Sequence, residues 1–274
     1  MRIDGTVHCF FEQSGVFKDA FNAVGLTALD YDIANRYGRT DHVMDLFKEI
    51  DNAYLGQESV FDDMTQDDLI MAFYPCIYFC QMSQFAQSLN YTNYRAITQA
   101  EACDRIIKRQ MKRDEYLVRL TKFVRVCLAR NLRMIFENPI TGSFLCNYFL
   151  KPPTLNDNNR MMRGDYFVKP TGYWFWNCEP TDGCTVQMDK VKRRVNDAPR
   201  PKHPGVCSEE RSAISPDYAR NFIADFILGD AYTKCGGCGA SVLIHENNEV
   251  DSRYYCKDCI DTAIYEADRA EGWC

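Results

Sequence analysis

The sequence predicts an α/β fold: a Rossmann-like sheet with helices on both faces, followed by a small cysteine-rich unit. Three observations predict it. Short apolar runs alternate with amphipathic stretches through the first 80 residues, and strands that alternate with helices pair in parallel. One run, residues 69–74, is continuously apolar, as a strand buried on both faces should be. Two matched Cys-x-x-Cys pairs stand in the last 40 residues.

The elements follow in order. Residues 6–12 are apolar and strand-like. Residues 16–24 place Phe17, Ala20, Phe21 and Val24 at helical spacing, with Gly25 where a helix stops. Residues 27–33 form a second strand and residues 41–46 a short third, followed by a helix over 47–55. The apolar run 69–74 is the fourth strand. Residues from about 81 to 132 lack Gly and Pro and form a helical insert, with Ile106, Met111, Leu117, Leu120, Phe123, Val124 and Cys127 on one face. A fifth strand over 132–136 ends at Asn138-Pro139. An aromatic strand covers 173–178, and a helix over 218–228 returns to the sheet. Residues 1–230 thus make one main domain and 231–274 a second, smaller unit, as 274 residues at about 150 per domain suggest.

Hydrophobic residues make up 46% and charged residues 26% of the chain, which excludes a disordered or fibrous protein. The longest apolar run, residues 69–80, is broken by Pro75 and too short for a bilayer, so no membrane partner is expected. The N-terminal MRIDGTVHCFFEQSG has an acid at Asp4 and no apolar core, so no secretory signal is expected and the cytoplasm is the expected compartment. Charge is uneven. Residues 1–70 hold 14 acids and 5 bases, residues 71–202 hold 11 acids and 21 bases, and residues 203–274 hold 13 acids and 6 bases. A basic middle in a chain of net charge −6 suits a polyanion bound at one face, or else a solvated helix face.

In a reducing compartment the 14 cysteines are thiols, metal ligands or catalysts. Cys235-Gly-Gly-Cys238 and Cys256-Lys-Asp-Cys259, 17 residues apart, have the spacing of a four-cysteine Zn²⁺ site. Four thiolates suit tetrahedral zinc, and the neighbouring glycines allow tight turns. A unit this small needs the metal to hold it together, so the zinc is expected to be structural and the unit zinc-ribbon-like. A redox dithiol is the competing reading.

Near the N-terminus, strand, turn and helix are followed by an acid ending the next strand, a nucleotide-binding arrangement. The turn is Glu12-Gln13-Ser14-Gly15 and the acid is Asp30 or Asp32. Glu12 and the acidic surroundings disfavour a polyphosphate. They suit S-adenosylmethionine, which carries a cationic sulfonium and no phosphate. A plain structural turn is the alternative.

Two further turns carry chemistry. Pro75-Cys76 stands just past the buried fourth strand, and Glu137-Asn138-Pro139 just past the fifth. Both positions fall at the ligand edge of an open α/β sheet. A thiolate that adds to C6 of a pyrimidine makes C5 carbanion-like, and an acid at N3 stabilises the charge. For Cys76 alone, a buried cysteine beside a turn proline is the simpler reading.

Together these segments resemble the DNA (cytosine-5) methyltransferases. Phe17, Ala20, Phe21 and Gly25 keep the family's Phe-x-x-Ala-Phe-x-x-x-Gly register. Pro75-Cys76-Ile77-Tyr78-Phe79 is similar to its Pro-Cys-Gln-x-Phe loop, and Glu137-Asn138 to its Glu-Asn-Val. With Lys169-Pro170-Thr171-Gly-Tyr-Trp174, the set resembles a divergent branch carried by phages and prophages, which would put the protein in a bacterial host cell. The resemblance implies a methyltransferase sheet, Cys76 as nucleophile and Glu137 as its partner. Arg160 and Arg163 stand for the family's base-holding arginines, without the usual glutamine. It implies S-adenosylmethionine held by Phe11, Gly15, Phe17, Asp32, Asp45 and Pro75. Of the family's Phe-x-Gly-x-Gly-Gly only Gly15 survives, Ile77 replaces a glutamine, and Cys80 stands where serine is usual. No stretch is long enough for a large target-recognition domain. The basic segment of about 179–206, with Lys190, Lys192, Arg193, Arg194, Arg200 and Lys202, is expected to contact DNA phosphates.

Three functions follow as alternatives: methylation of cytosine C5 in DNA, methylation of a free pyrimidine nucleotide, and a non-catalytic binding protein on the same scaffold. An amino-methyltransferase fits less well, because Asn138-Pro139-Ile140 lacks the second proline and the aromatic residue of that motif.

Overall fold

The computed structural model describes residues 1–187, 193–194, 212–229, 232–239, 241–243, 249–251 and 253–270. Strand β1 (Val7–Phe10) leads to helix α1 (Val16–Asn22), β2 (Ala28–Asp32), β3 (His42–Val43) and α2 (Leu46–Tyr54). Then come β4 (Leu69–Ala72), α3 (Gln81–Phe85), α4 (Gln99–Ala129), β5 (Arg133–Pro139), α5 (Phe144–Tyr148), β6 (Leu155–Asp157), β7 (Phe167–Val168) and β8 (Thr171–Trp176). Strand β9 (Arg193–Arg194) pairs in parallel with β7. Helix α6 (Pro216–Phe222) continues as a π-helical turn over Ile223–Leu228.

The main sheet has seven strands in the order β3-β2-β1-β4-β5-β8-β6. Strands β1 to β5 are mutually parallel, whereas β8 runs antiparallel between β5 and β6. The chain reverses its direction of travel across the sheet between β1 and β4. In such open sheets ligands bind at that point, at the carboxyl ends of the strands.

Each face of the sheet buries its own core. One holds Phe10, Leu120, Phe123, Val124, Phe136 and Trp174 under α2 and α4. The other holds Val7, Phe17, Phe21, Ile135, Tyr173 and Phe222 under α1 and α6. This is why β4 and the centre of β5 are apolar throughout, and β1 is apolar but for His8, whose Nδ1 hydrogen-bonds the Tyr31 hydroxyl at 2.9 Å: their side chains alternate between two dry faces.

The expected elements are present with shifted bounds, and three differ in kind. The helical insert is not continuous. Helix α4 starts at Thr98, whose hydroxyl and Glu101 form a capping box, after a 3₁₀ turn at Thr92–Tyr94. The third strand is cut to two exposed residues. Strand β6 had no sequence signal, because three residues in a Pro- and Asn-rich stretch become a strand only by pairing with β8.

At the C-terminal end, β10 (Tyr232–Lys234) pairs with β11 (Ser241–Leu243) and β12 (Glu249–Val250) with β13 (Arg253–Tyr254), before helix α7 (Lys257–Ala270). Among the described residues no helix is long and apolar enough to cross a membrane.

Phe123 is fully buried, with ring centroids 5.9 Å from Phe10 and 5.8 Å from Phe61. Phe123→Ala should lower unfolding stability by about 3–5 kcal/mol in urea titration. A loss below about 1 kcal/mol would contradict this packing.

Candidate functional site

Six strands bring their ends to one edge. The ends of β1, β2, β4 and β5 point the same way, and the antiparallel β8 begins there, with Thr171 opposite Pro139 and Tyr173 opposite Glu137. Strand β6 also ends there, with Asp157 opposite Thr171. Cys76, Glu137, Arg160 and Lys169 therefore meet at this edge, next to the β1 and β4 turns where the strand order reverses.

Cys76 lies in the turn after β4. Its carbonyl accepts from the N–H groups of Phe79 and Cys80, at 2.9 and 3.1 Å. That turn is tied to β5, since Asn138 Nδ2 donates to the Tyr74 carbonyl at 3.0 Å and the Phe144 N–H to that of Phe79 at 2.9 Å. Burial, then the charge of Glu137, pushes the Cys76 thiol up to about 11, and the Lys169 ammonium acts against them. The free protein therefore holds a neutral thiol at pH 7.

Glu137 is 7% exposed. Its Oε1 lies 3.5 Å from Arg160 Nη1 and 3.9 Å from Lys169 Nζ. Arg160 is wholly buried, with Nη2 2.7 Å from Asp165 Oδ2 and its guanidinium 4.3 Å from the centroid of the Tyr218 ring. Burial opposes its charge, but Asp165 first, then Tyr173, Tyr218 and Glu137, hold its proton more firmly than usual. Arg160 thus pairs with Glu137 from the buried side. Arg163 does not join it. Its Nε faces Asp225 at 3.5 Å and Asp157 at 3.8 Å, and its guanidinium covers the Phe226 ring.

On the β1 side, Phe11 takes a left-handed φ of 59° and packs on Phe47 and Tyr74. The chain then folds Glu12 under α1. Its carboxylate accepts from the N–H groups of Phe17 at 2.8 Å and Lys18 at 3.2 Å, and burial raises it to about 7. Gly15 has φ +67°, which a side chain would strain, and an added Cβ would sit 3.3 Å from Lys18 Cε. Asp32 ends β2, is 6% exposed, accepts from the Ala34 N–H at 2.8 Å and is raised by burial. Asp30 instead is buried internally against Lys18 at 3.0 Å.

The other expected residues fall differently. Pro75 is half-buried in the β4 turn. Phe17 is fully buried against Phe73 and Phe222, so its side chain serves the core rather than the crevice. Asp45 is the N-cap of α2, accepting from the N–H groups of Phe47 at 3.0 Å and Lys48 at 3.4 Å. Lys190 and Lys192 lie outside the described residues, as do Arg200 and Lys202. Arg193 and Arg194 form β9 beside Phe167 and Val168, which immediately precede Lys169.

Lys169 and Asp165 had no role assigned from sequence. The Lys-Pro-Thr run was visible, but only the antiparallel register of β8 on β5 brings Lys169 to Glu137.

The four cysteine sulfurs of Cys235, Cys238, Cys256 and Cys259 lie within 4.8 Å of one another and could hold a metal such as zinc. Cys238 and Cys256 sulfurs are 3.7 Å apart, against about 3.8 Å for the edge of a tetrahedron with ~2.3 Å bonds. A Cβ at Gly237 would sit 3.0 Å from Cys259 Sγ, so the knuckle needs a glycine there.

No family model and no curated protein matches this chain.

Two outcomes follow. Iodoacetamide should modify Cys76 far more slowly at pH 7 than the exposed Cys103, with a rate rising as pH approaches 11. Glu137→Gln removes a repelling charge and should speed the reaction at fixed pH, whereas Lys169→Met should slow it. Peptide mass spectrometry reads both, and Cys76 labelling as fast as Cys103 at pH 7 would contradict the site. Chelation should loosen the C-terminal unit by hydrogen exchange and leave the main sheet protected. Collapse of the whole fold in Cys256→Ser would contradict a locally acting metal.

Proposed function

We propose that this protein is an S-adenosylmethionine-dependent methyltransferase acting on C5 of cytosine in DNA. The observation that carries the reading is the meeting of Cys76, Glu137 and Lys169 at the carboxyl edge, next to the crevice where the chain's path across the sheet reverses. The antiparallel strand set into a parallel sheet also fits the methyltransferase-like sheet that the sequence resemblance implies.

The crevice suits this cofactor in its donor set. Glu12 already occupies the first N–H groups of α1, so a phosphate would find them taken. A cation with ribose hydroxyls meets the Glu12 side of the turn and the Asp32 carboxylate. Phe11, Gly15, Asp32 and the Pro75 backbone would hold it. When bound, it supplies a methyl group on a sulfonium.

The chain's own residues prepare the base. Cys76 Sγ bonds to C6 as its proton passes to the Glu137 carboxylate, and the C5–C6 π pair moves to C5. Glu137 shares that proton with N3, so no net charge builds on the ring. Lys169 favours the thiolate, and Arg160 fixes the carboxylate that faces N3. Once C5 is methylated, solvent water takes its hydrogen as a proton, the C–H pair re-forms the C5–C6 double bond, sulfur leaves C6 as thiolate, and N3 returns its proton through Glu137 to the sulfur. A duplex cytosine reaches the thiol only by leaving the stack, at a cost of a few kcal/mol. The zinc unit keeps a structural role in this reading.

DNA carrying 5-fluorocytosine tests it, because fluorine at C5 blocks release. Wild-type protein with S-adenosylmethionine should form an adduct that survives denaturation, and Cys76→Ser should form none. An adduct retained by the serine variant would move the chemistry to another residue, and its absence from wild-type protein on varied DNAs would reject the reading.

A further inference from the structure

Helix α4 is much longer than the sheet needs. Its 31 residues span roughly 46 Å, whereas the four to seven residues of β4 and β5 span roughly 13–23 Å. The surplus lies beyond the carboxyl edge. The helix crosses that edge at Tyr116, whose carbonyl accepts from the Tyr74 hydroxyl at 2.8 Å and whose ring meets that of Tyr78 at 4.9 Å. Residues 99–115, roughly 25 Å of helix, therefore run on past the Cys76–Cys80 turn, with Ala102 buried near their start. Arg113 lies over the Phe144 ring at 4.4 Å, so the projection is anchored to the same turn region. Between Cys103 and Arg119 no residue of α4 is buried.

This projecting half is basic on one face. Arg105, Lys108, Arg109 and Lys112 stand at positions i, i+3, i+4 and i+7. Lys112 pairs with Glu115 at 2.7 Å. Arg105, Lys108 and Arg109 have no carboxylate within ion-pair distance among the described residues. Glu101, one turn before Arg105, is held in the capping box by the Thr98 N–H at 2.8 Å and hydroxyl at 2.9 Å. Three cations without an ion pair among the described residues, on one face of a single helix, complement a closely spaced row of phosphates.

We propose that the first half of α4 is an arm that lies along the phosphate backbone of the DNA whose cytosine is offered to Cys76, with Arg105, Lys108 and Arg109 as its contacts. The inference rests on the DNA methyltransferase reading and adds a binding surface to it. In place of a large recognition domain, an overhanging helix would fix the duplex beside the thiol. Contacts of this kind position DNA without reading its sequence.

The test is fluorescence anisotropy with a duplex over a range of salt, on wild-type protein, the triple variant Arg105→Gln/Lys108→Gln/Arg109→Gln, and Arg125→Gln as a control on the exposed face near the other end of α4. The 5-fluorocytosine adduct is measured in parallel. Gln keeps helix propensity at these positions, of which Arg105 and Lys108 are exposed and Arg109 is half-buried. The triple variant should bind all duplexes about tenfold or more weakly at low salt. The slope of log affinity against log salt should fall by roughly 0.9 for each of the three contacts. The Arg125 variant should match wild type. Unchanged affinity and slope in the triple variant, with the adduct still forming on wild-type protein, would overturn the arm and leave the methyltransferase reading standing. Weakened binding of the triple variant with no adduct on wild-type protein would uphold the arm as a DNA surface and reject the chemistry. Failure of wild-type protein to bind duplex DNA would overturn the arm.

Discussion

Arg160 has no contact with solvent, and a guanidinium withdrawn from water costs several kcal/mol unless its partners replace that water. The partners come from four different places in the chain. Asp165 and Glu137 supply charge, Tyr218 supplies a ring face, and Tyr173 adds a dipole nearby. Together they fix β5, β8, the loop after β6 and helix α6 against one another. Glu137 gains its position from this arrangement, so the carboxyl edge is built around one buried cation.

The arrangement also divides labour between similar residues. Two arginines three positions apart separate, because Arg160 turns under β5 while Arg163 turns to Asp157 and Asp225. Two acids on β2 separate likewise. Asp30 is consumed by Lys18, whereas Asp32 ends β2 and accepts from the Ala34 N–H. The thiol of Cys76 is kept neutral by burial and by Glu137 until a base arrives. A thiol set this way is slow to react with solvent electrophiles, and in the proposed reaction the carboxylate that suppresses the thiolate is the one that takes its proton.

The shared place of Cys76 and Glu137 at one sheet edge was legible in the sequence because each closes an apolar run with a turn residue, and the sheet then aligns those ends. The α/β class was legible for the same reason. The metal cluster was legible from spacing alone, since both knuckles are local. What was not legible depends on pairing or on competition for a side chain. Strand β6 exists only through β8. Lys169 meets Glu137 only through the antiparallel register. Asp45 has the right place for a ligand but serves the first turn of α2, and Phe17 has the right motif register but faces the core. The overhang of α4 could not be read from periodicity, because its exposed half and its buried half share one continuous helix.

The central claim is that this edge moves a methyl group to carbon 5 of cytosine. The most direct measurement is incubation of the full chain with isotopically labelled S-adenosylmethionine and cytosine-rich duplexes, followed by digestion to nucleosides and mass spectrometry. Label should appear in 5-methyldeoxycytidine with wild-type protein and not with Cys76→Ala. Label on an exocyclic nitrogen, or no transfer to DNA of any sequence, would contradict it.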